Sequence, residues 1–113
     1  MRAEALKGHL DGLLLAVLEV GPAHGYALIE ALRSASGGTF DLPTGTVYPA
    51  LHRLERADLV RGVWANESGR RRRVYELTAA GAGALAERRD GWERFAGAVS
   101  AVLKGGPRWP APA

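Results

Sequence analysis

From Ala5 to Val20, "ALKGHLDGLLLAVLEV", apolar residues fall at Leu6, Leu10, Leu13, Leu14, Val17 and Leu18. Spacings of three and four predict a helix. Leu15 and Ala16 carry the apolar surface around most of its circumference, so this helix is covered on several sides, and a partner chain is one source of that cover. Gly21-Pro22 ends it. Tyr26, Ile29, Ala31 and Leu32 mark a second helix that closes at Gly37-Gly38. Pro43-Thr44 is a helix-start signal. It opens a third helix whose apolar stripe is Val47, Ala50, Leu51 and Leu54. Pro49 lies close enough to its start for one lost amide bond and a slight bend to be tolerated.

After Asp58 the period changes from about 3.6 to 2. "LVRGVWAN" puts Leu59, Arg61, Val63 and Ala65 on one side and Val60, Gly62 and Trp64 on the other. "RRVYELT" is a second strand, and Asn66 to Arg70 supplies turn residues between them, so a hairpin is expected. Thr78 is the expected cap of a long final helix. Within it Leu85, Trp92, Phe95, Val99 and Val102 approach the a/d seam of a coiled coil, interrupted by Arg88. The chain thus divides into 1–78, a helical and hairpin domain; 79–104, a helix with an unpartnered seam; and 105–113, a Pro/Gly-rich tail expected to be disordered.

A length of 113 residues suits one such domain. With no cysteine, disulfides, thiol sensing and thiolate metal sites are excluded. No apolar run approaches the roughly 20 residues of a membrane span. The start has no signal-peptide pattern, and a cytosolic protein is expected. The net charge of +3 is mild, but its distribution is not even. Thr44 to Tyr75 holds seven Lys/Arg against three acids, whereas the remainder holds eight against nine. The positive excess lies in one third of the chain, which points that third toward an anionic partner.

Three helices followed by a basic hairpin describe a winged helix-turn-helix, with the third helix in the major groove and the wing on the backbone or minor groove. The predicted fold class is therefore mostly α with a small β-hairpin, completed by a long C-terminal dimerisation helix. On the third helix Val47, Leu51 and Leu54 face the core, and Tyr48, His52 and Arg56 form a second row about 100° round from them, with Arg53 beside it. Thr44 and Thr46 stand at the N-terminal end, where hydroxyls and free amides suit phosphate oxygens. Arg53 and Arg56 have the fork that guanine accepts, and His52 offers a single bond. In the wing, alternation places Arg71 and Arg73 on one face and Arg70 and Arg72 on the other. The plainer alternative is a solvated face with Tyr48 in the core and arginines that serve solubility. His24 and Tyr26 read as capping and packing residues of the second helix. No carboxylate–histidine spacing resembles a metal site, and no cofactor is expected.

Three motifs carry a family resemblance: His24-Gly25-Tyr26; Gly45 to Leu51 followed by Arg53-Leu54-Glu55; and Arg71 to Tyr75 running into Leu77 to Gly81. Over about Leu6 to Phe95 the chain resembles the PadR family of transcriptional regulators, in its smaller form with a single C-terminal helix. The resemblance implies a homodimeric repressor that binds an inverted-repeat operator and is released by a small molecule. It also implies that Tyr48 and Pro49 position the helix rather than read bases. Leu6, Leu10, Leu14, Leu85, Trp92, Phe95, Val99 and Val102 are the candidate dimer interface. Smaller members hold flat aromatic compounds between the terminal helices near a tryptophan, and Trp92 falls at that place. Trp92 then has two readings: the largest knob of the seam, or a ring that stacks on a planar aromatic or phenolic ligand. In the second, Arg89 and Ala96 flank it and Gly8 and Gly12 leave the space.

Competing classes are a winged helix that binds DNA without any ligand, and one that has turned to protein partners. An enzyme is disfavoured, because no phosphate loop, nucleophile elbow or HExxH occurs.

Overall fold

The computed structural model describes Leu6, residues 8–106 and Trp109. Its elements run α1 (Leu10–Val20), β1 (Ala23–His24), α2 (Gly25–Ala35), α3 (Thr44–Arg56), β2 (Val60–Glu67), β3 (Arg70–Leu77) and α4 (Ala79–Gly105). The first helix starts later than its apolar spacing suggests. Gly8 takes a φ of +87°, and the His9 amide donates to the Leu6 carbonyl, so Leu6 belongs to a separate turn. α2 opens on an extended His24 whose Nδ1 accepts from the Ala27 amide at 3.3 Å. Its buried stripe is Gly25, Leu28 and Leu32. Tyr26 is 67% exposed, so the expectation that it packs into the domain is corrected for this ring.

Pro43, not Thr44, is the N-cap residue of α3, and no side chain caps that end. A proline there offers no hydroxyl, and Thr44 has already entered the helix. Val47, Ala50, Leu51 and Leu54 are buried as the stripe requires. β2 and β3 pair from Val60–Leu77 to Glu67–Arg70, leaving Ser68-Gly69 as a two-residue turn with both φ positive. The sheet has a third strand as well. β1 pairs antiparallel with β3 through Ala23–Tyr75 and His24–Val74, giving the order β1-β3-β2. Two residues are too few to show a period, which is why the strand is invisible in the sequence pattern.

The core joins Leu14, Leu15 and Leu18 of α1 to Leu28 and Leu32 of α2, Leu51 and Leu54 of α3, and Val60 and Tyr75 of the sheet. Leu6, Leu14 and Leu85 are all 4% exposed or less. Their expected place in a dimer interface is therefore corrected. The broad apolar surface of α1 is covered by α2, α3, β3 and α4 of its own chain. Leu10 is half-buried against the same core. The Thr78 hydroxyl does cap α4, accepting from the Gly81 amide at 3.0 Å and donating to the Asp58 carbonyl at 2.6 Å. Gly81 lies against the Leu59 carbonyl so closely that an added β-carbon would overlap it. The helix runs to Gly105, one residue past the expected limit. Of the expected tail, residues 107, 108 and 110–113 lie outside the described residues, and Trp109 is exposed.

Candidate nucleic-acid interface

The outer face of α3 stands as the sequence places it. Thr44, His52, Arg53 and Arg56 are exposed, and Thr46 and Tyr48 are half-buried. Tyr48 has a packing role. Its ring lies over Gly25, where an added β-carbon would overlap it, and meets the Tyr26 ring edge-on at 6.4 Å. Burial, and secondarily the neighbouring Tyr26, raise the Tyr48 hydroxyl above its ordinary pKa. Glycine at 25 thus lets α2 and α3 approach, and Tyr48 fixes their relative position.

The wing arginines divide by face as alternation predicts. Trp64 is paired with Arg73 across the strands, and it carries the guanidinium groups of Arg71 and Arg73 at 4.9 and 5.6 Å from its ring centre. This ring, 54% exposed, was missed as a site residue. The signal was present, since Gly62 and Trp64 alternate onto the face shared with Arg71 and Arg73. An exposed cation–π pair contributes about 0.5–1 kcal/mol, enough to order a long side chain in part. On the opposite face Arg72 comes within 2.6 Å of His24 Nε2. A neutral imidazole accepts through only one ring nitrogen, so the Arg72 and Ala27 contacts compete for His24.

The cations of this surface are not equivalent. Arg53 donates to Asp11 at 2.6 Å and Arg73 to Glu55 at 2.5 Å. Among the described residues Arg56, Arg70, Arg71 and Arg72 have no acidic partner within 4.0 Å (Arg61 is paired with Glu76, away from this group). Asp11 and Glu55 thus shape the electrostatics of this surface, and patterning within single elements gives no sign of it.

Around Trp92 the arrangement differs from the open space imagined for a ligand. His9 meets the ring edge-on at 5.5 Å and Phe95 lies tilted at 6.1 Å. The space beside Gly12 is taken by Arg88, whose Cδ would lie 3.0 Å from an added β-carbon. The idea that Gly12 leaves room for a ligand is corrected accordingly, while the space at Gly8 is open. Arg89 is held by both oxygens of Glu19 at 2.9 and 3.0 Å, and Ala96 is half-buried. The hydrogen bond from Arg89 holds the Glu19 carboxyl below its ordinary value. Beyond Leu85 the seam is bare: Trp92, Phe95, Val99 and Val102 are exposed, as is Leu103, which the heptad reading omitted.

A helix pair whose third helix shows a basic outer face, backed by a three-stranded sheet with an arginine-rich hairpin, is a winged helix-turn-helix. The solved structures agree. A PadR-like transcriptional regulator from Bacillus cereus matches with a TM-score of 0.79 and 27% identity, over 89% of this chain and 97% of that one. A PadR family regulator from Eggerthella lenta matches with a TM-score of 0.77 and 31% identity, over 88% and 86%. A transcriptional regulator of Mycobacterium tuberculosis is 41% identical over 73 residues, 65% of each protein. The model of the transcriptional regulator PadR-like family matches residues 14–87, from α1 into α4, and the chain belongs to that family. The family is one of regulators rather than enzymes. No helix among the described residues is long and apolar enough to cross a membrane.

Proposed function

We propose that the protein is a cytoplasmic, homodimeric DNA-binding repressor. The observation that carries this reading is the shared surface of α3 and the wing. His52, Arg53 and Arg56 are exposed on one, the Trp64-stacked arginines stand on the other, and four of the arginines lack an acidic partner among the described residues. α3 enters the major groove, with Thr44 and Thr46 at its N-terminal end and His52, Arg53 and Arg56 over base edges or phosphates. Arg70 to Arg73 hold the backbone beside it. Two copies joined along Trp92, Phe95, Val99 and Val102 place their α3 helices on an inverted repeat, with half-sites about one helical turn apart.

The test is anisotropy with a labelled duplex taken from upstream of the protein's own gene, titrated across salt. Binding should fall with log–log slope of roughly one unit per neutralised phosphate. Binding that stays constant from low to moderate salt overturns the reading.

A planar aromatic or phenolic inducer stacked on Trp92, flanked by Arg89 and Ala96 and lying near Gly8, completes the repressor reading. A titration with planar aromatic dyes, followed by tryptophan fluorescence, checks it; equal binding by Trp92→Ala refutes the stacking. A ligand-independent regulator is the second reading. It is favoured by the Arg88 side chain over Gly12 and by the Arg89–Glu19 pair, which occupy the groups a ligand would use.

A further inference from the structure

Asp11 sits where three helices meet. Its carboxylate, on α1 and 21% exposed, accepts from Arg53 of α3 through one oxygen at 2.6 Å. Its other oxygen lies 3.8 Å from a guanidinium nitrogen of Arg88 on α4. Arg88 is fixed on two further sides, by its donation to the Gly8 carbonyl at 3.1 Å and by the packing of its stem over Gly12. One carboxylate therefore serves a cation of the DNA-facing helix and a cation of the C-terminal helix.

The consequence is a competition. Resting on the DNA-binding reading above, Arg53 has two anionic partners to choose between, the Asp11 carboxylate and a DNA phosphate. Arg88 compensates the same carboxylate and so weakens its hold on Arg53. We infer that Asp11 is a positioning residue for Arg53, and that through it Arg88 of α4 favours DNA binding without touching DNA. Withdrawal of Arg88 leaves Asp11 to Arg53 alone and turns that arginine from the duplex. The groups are partly exposed, so the effect is that of a surface ion pair, about two- to fivefold in affinity.

The experiment measures binding of the full-length protein to a fluorescein-labelled mixed-sequence duplex at low salt. The variants are Arg88→Gln, Arg88→Lys, Asp11→Asn and the double variant Asp11→Asn/Arg88→Gln, each repeated with Arg53→Gln. Thermal melts identify any variant that is unfolded at the assay temperature. Arg88→Gln should weaken binding about two- to fivefold, and Arg88→Lys should restore most of it. With Asp11→Asn, binding should be at least as tight as in the unaltered protein, and Arg88→Gln should then change nothing. With Arg53→Gln, neither substitution should matter. An Arg88→Gln effect of equal size with and without Asp11 overturns the inference and leaves the DNA-binding reading standing, because Arg88 then acts only as one more positive charge. An unaltered protein that does not bind the duplex overturns both.

Discussion

The winged body and the distal half of α4 are built from the same kinds of residue and treat them in opposite ways. In the body every large aliphatic of α1 and α3 that the helical period assigns to the core finds cover within the chain. On α4 only Leu85 does, and five large apolar side chains beyond it face outward. Isolated helices depend on packing for most of their stability, and Gly83, Gly91 and Gly97 lower the propensity of this one further. The body is self-sufficient, whereas α4 is incomplete. An apolar stripe of that length needs a second surface, and in the proposed dimer a second copy supplies it by symmetry.

Substitutions that treat the two regions alike should break them differently. Leu51→Ala, in the body, should cost about 2–5 kcal/mol of folding stability and lower the melting midpoint with no change of m-value beyond error. Phe95→Asp with Val102→Asp, on α4, should leave the body folded but give a monomer in sedimentation. Its affinity for an inverted repeat should fall about 100-fold, because the second reading helix is no longer tethered to the first. If that variant stays dimeric, the exposed stripe of α4 is not the surface that joins two copies. Removing the cap with Thr78→Ala tests the junction, at about 0.5–2 kcal/mol.

Within the body a finer contrast separates paired arginines from unpaired ones. Arg56→Gln or Arg70→Gln should each lower the salt slope of DNA binding by about one unit. Arg73→Gln should lower it less, because Glu55 already occupies that guanidinium. The smallest effect concerns pH. Arg89 lowers the Glu19 pKa in the folded state, so the pair stabilises the fold above about pH 4.5, the ordinary value. That contribution disappears as pH falls through the depressed pKa. Glu19→Gln should flatten the acid side of a stability profile slightly, most visibly between α1 and α4.

The parts legible in the sequence were those governed by a local period. The stripe Val47, Leu51, Leu54 and the split of Arg70 to Arg73 between two faces follow from spacing alone, and the folded chain keeps both. β1 was not legible, because two residues show no period and its partner lies some fifty residues away in β3. Leu6, Leu14 and Leu85 were assigned to a partner because spacing reveals that a face is apolar but not whose surface covers it. The carboxylates that hold Arg53 and Arg73 escaped for a related reason. Asp11 and Glu55 reach them across helix and sheet, at separations of 42 and 18 residues, where no pattern within one element can register them.

The contact at Gly81 has a mechanical meaning. α4 has 27 residues and so is a rod about 40 Å long, pressed at its base onto the Leu59 carbonyl. It is held to α1 and the turn before it as far as Trp92, so a tilt of about 10° in the remaining stretch of roughly 20 Å displaces its far end by about 3 Å. In the proposed dimer that displacement becomes a change in the gap between two reading heads that must match one turn of DNA. The hydrogen at residue 81 in place of a methyl group fixes where that rod is seated, and so the starting point from which the gap in the proposed dimer is set.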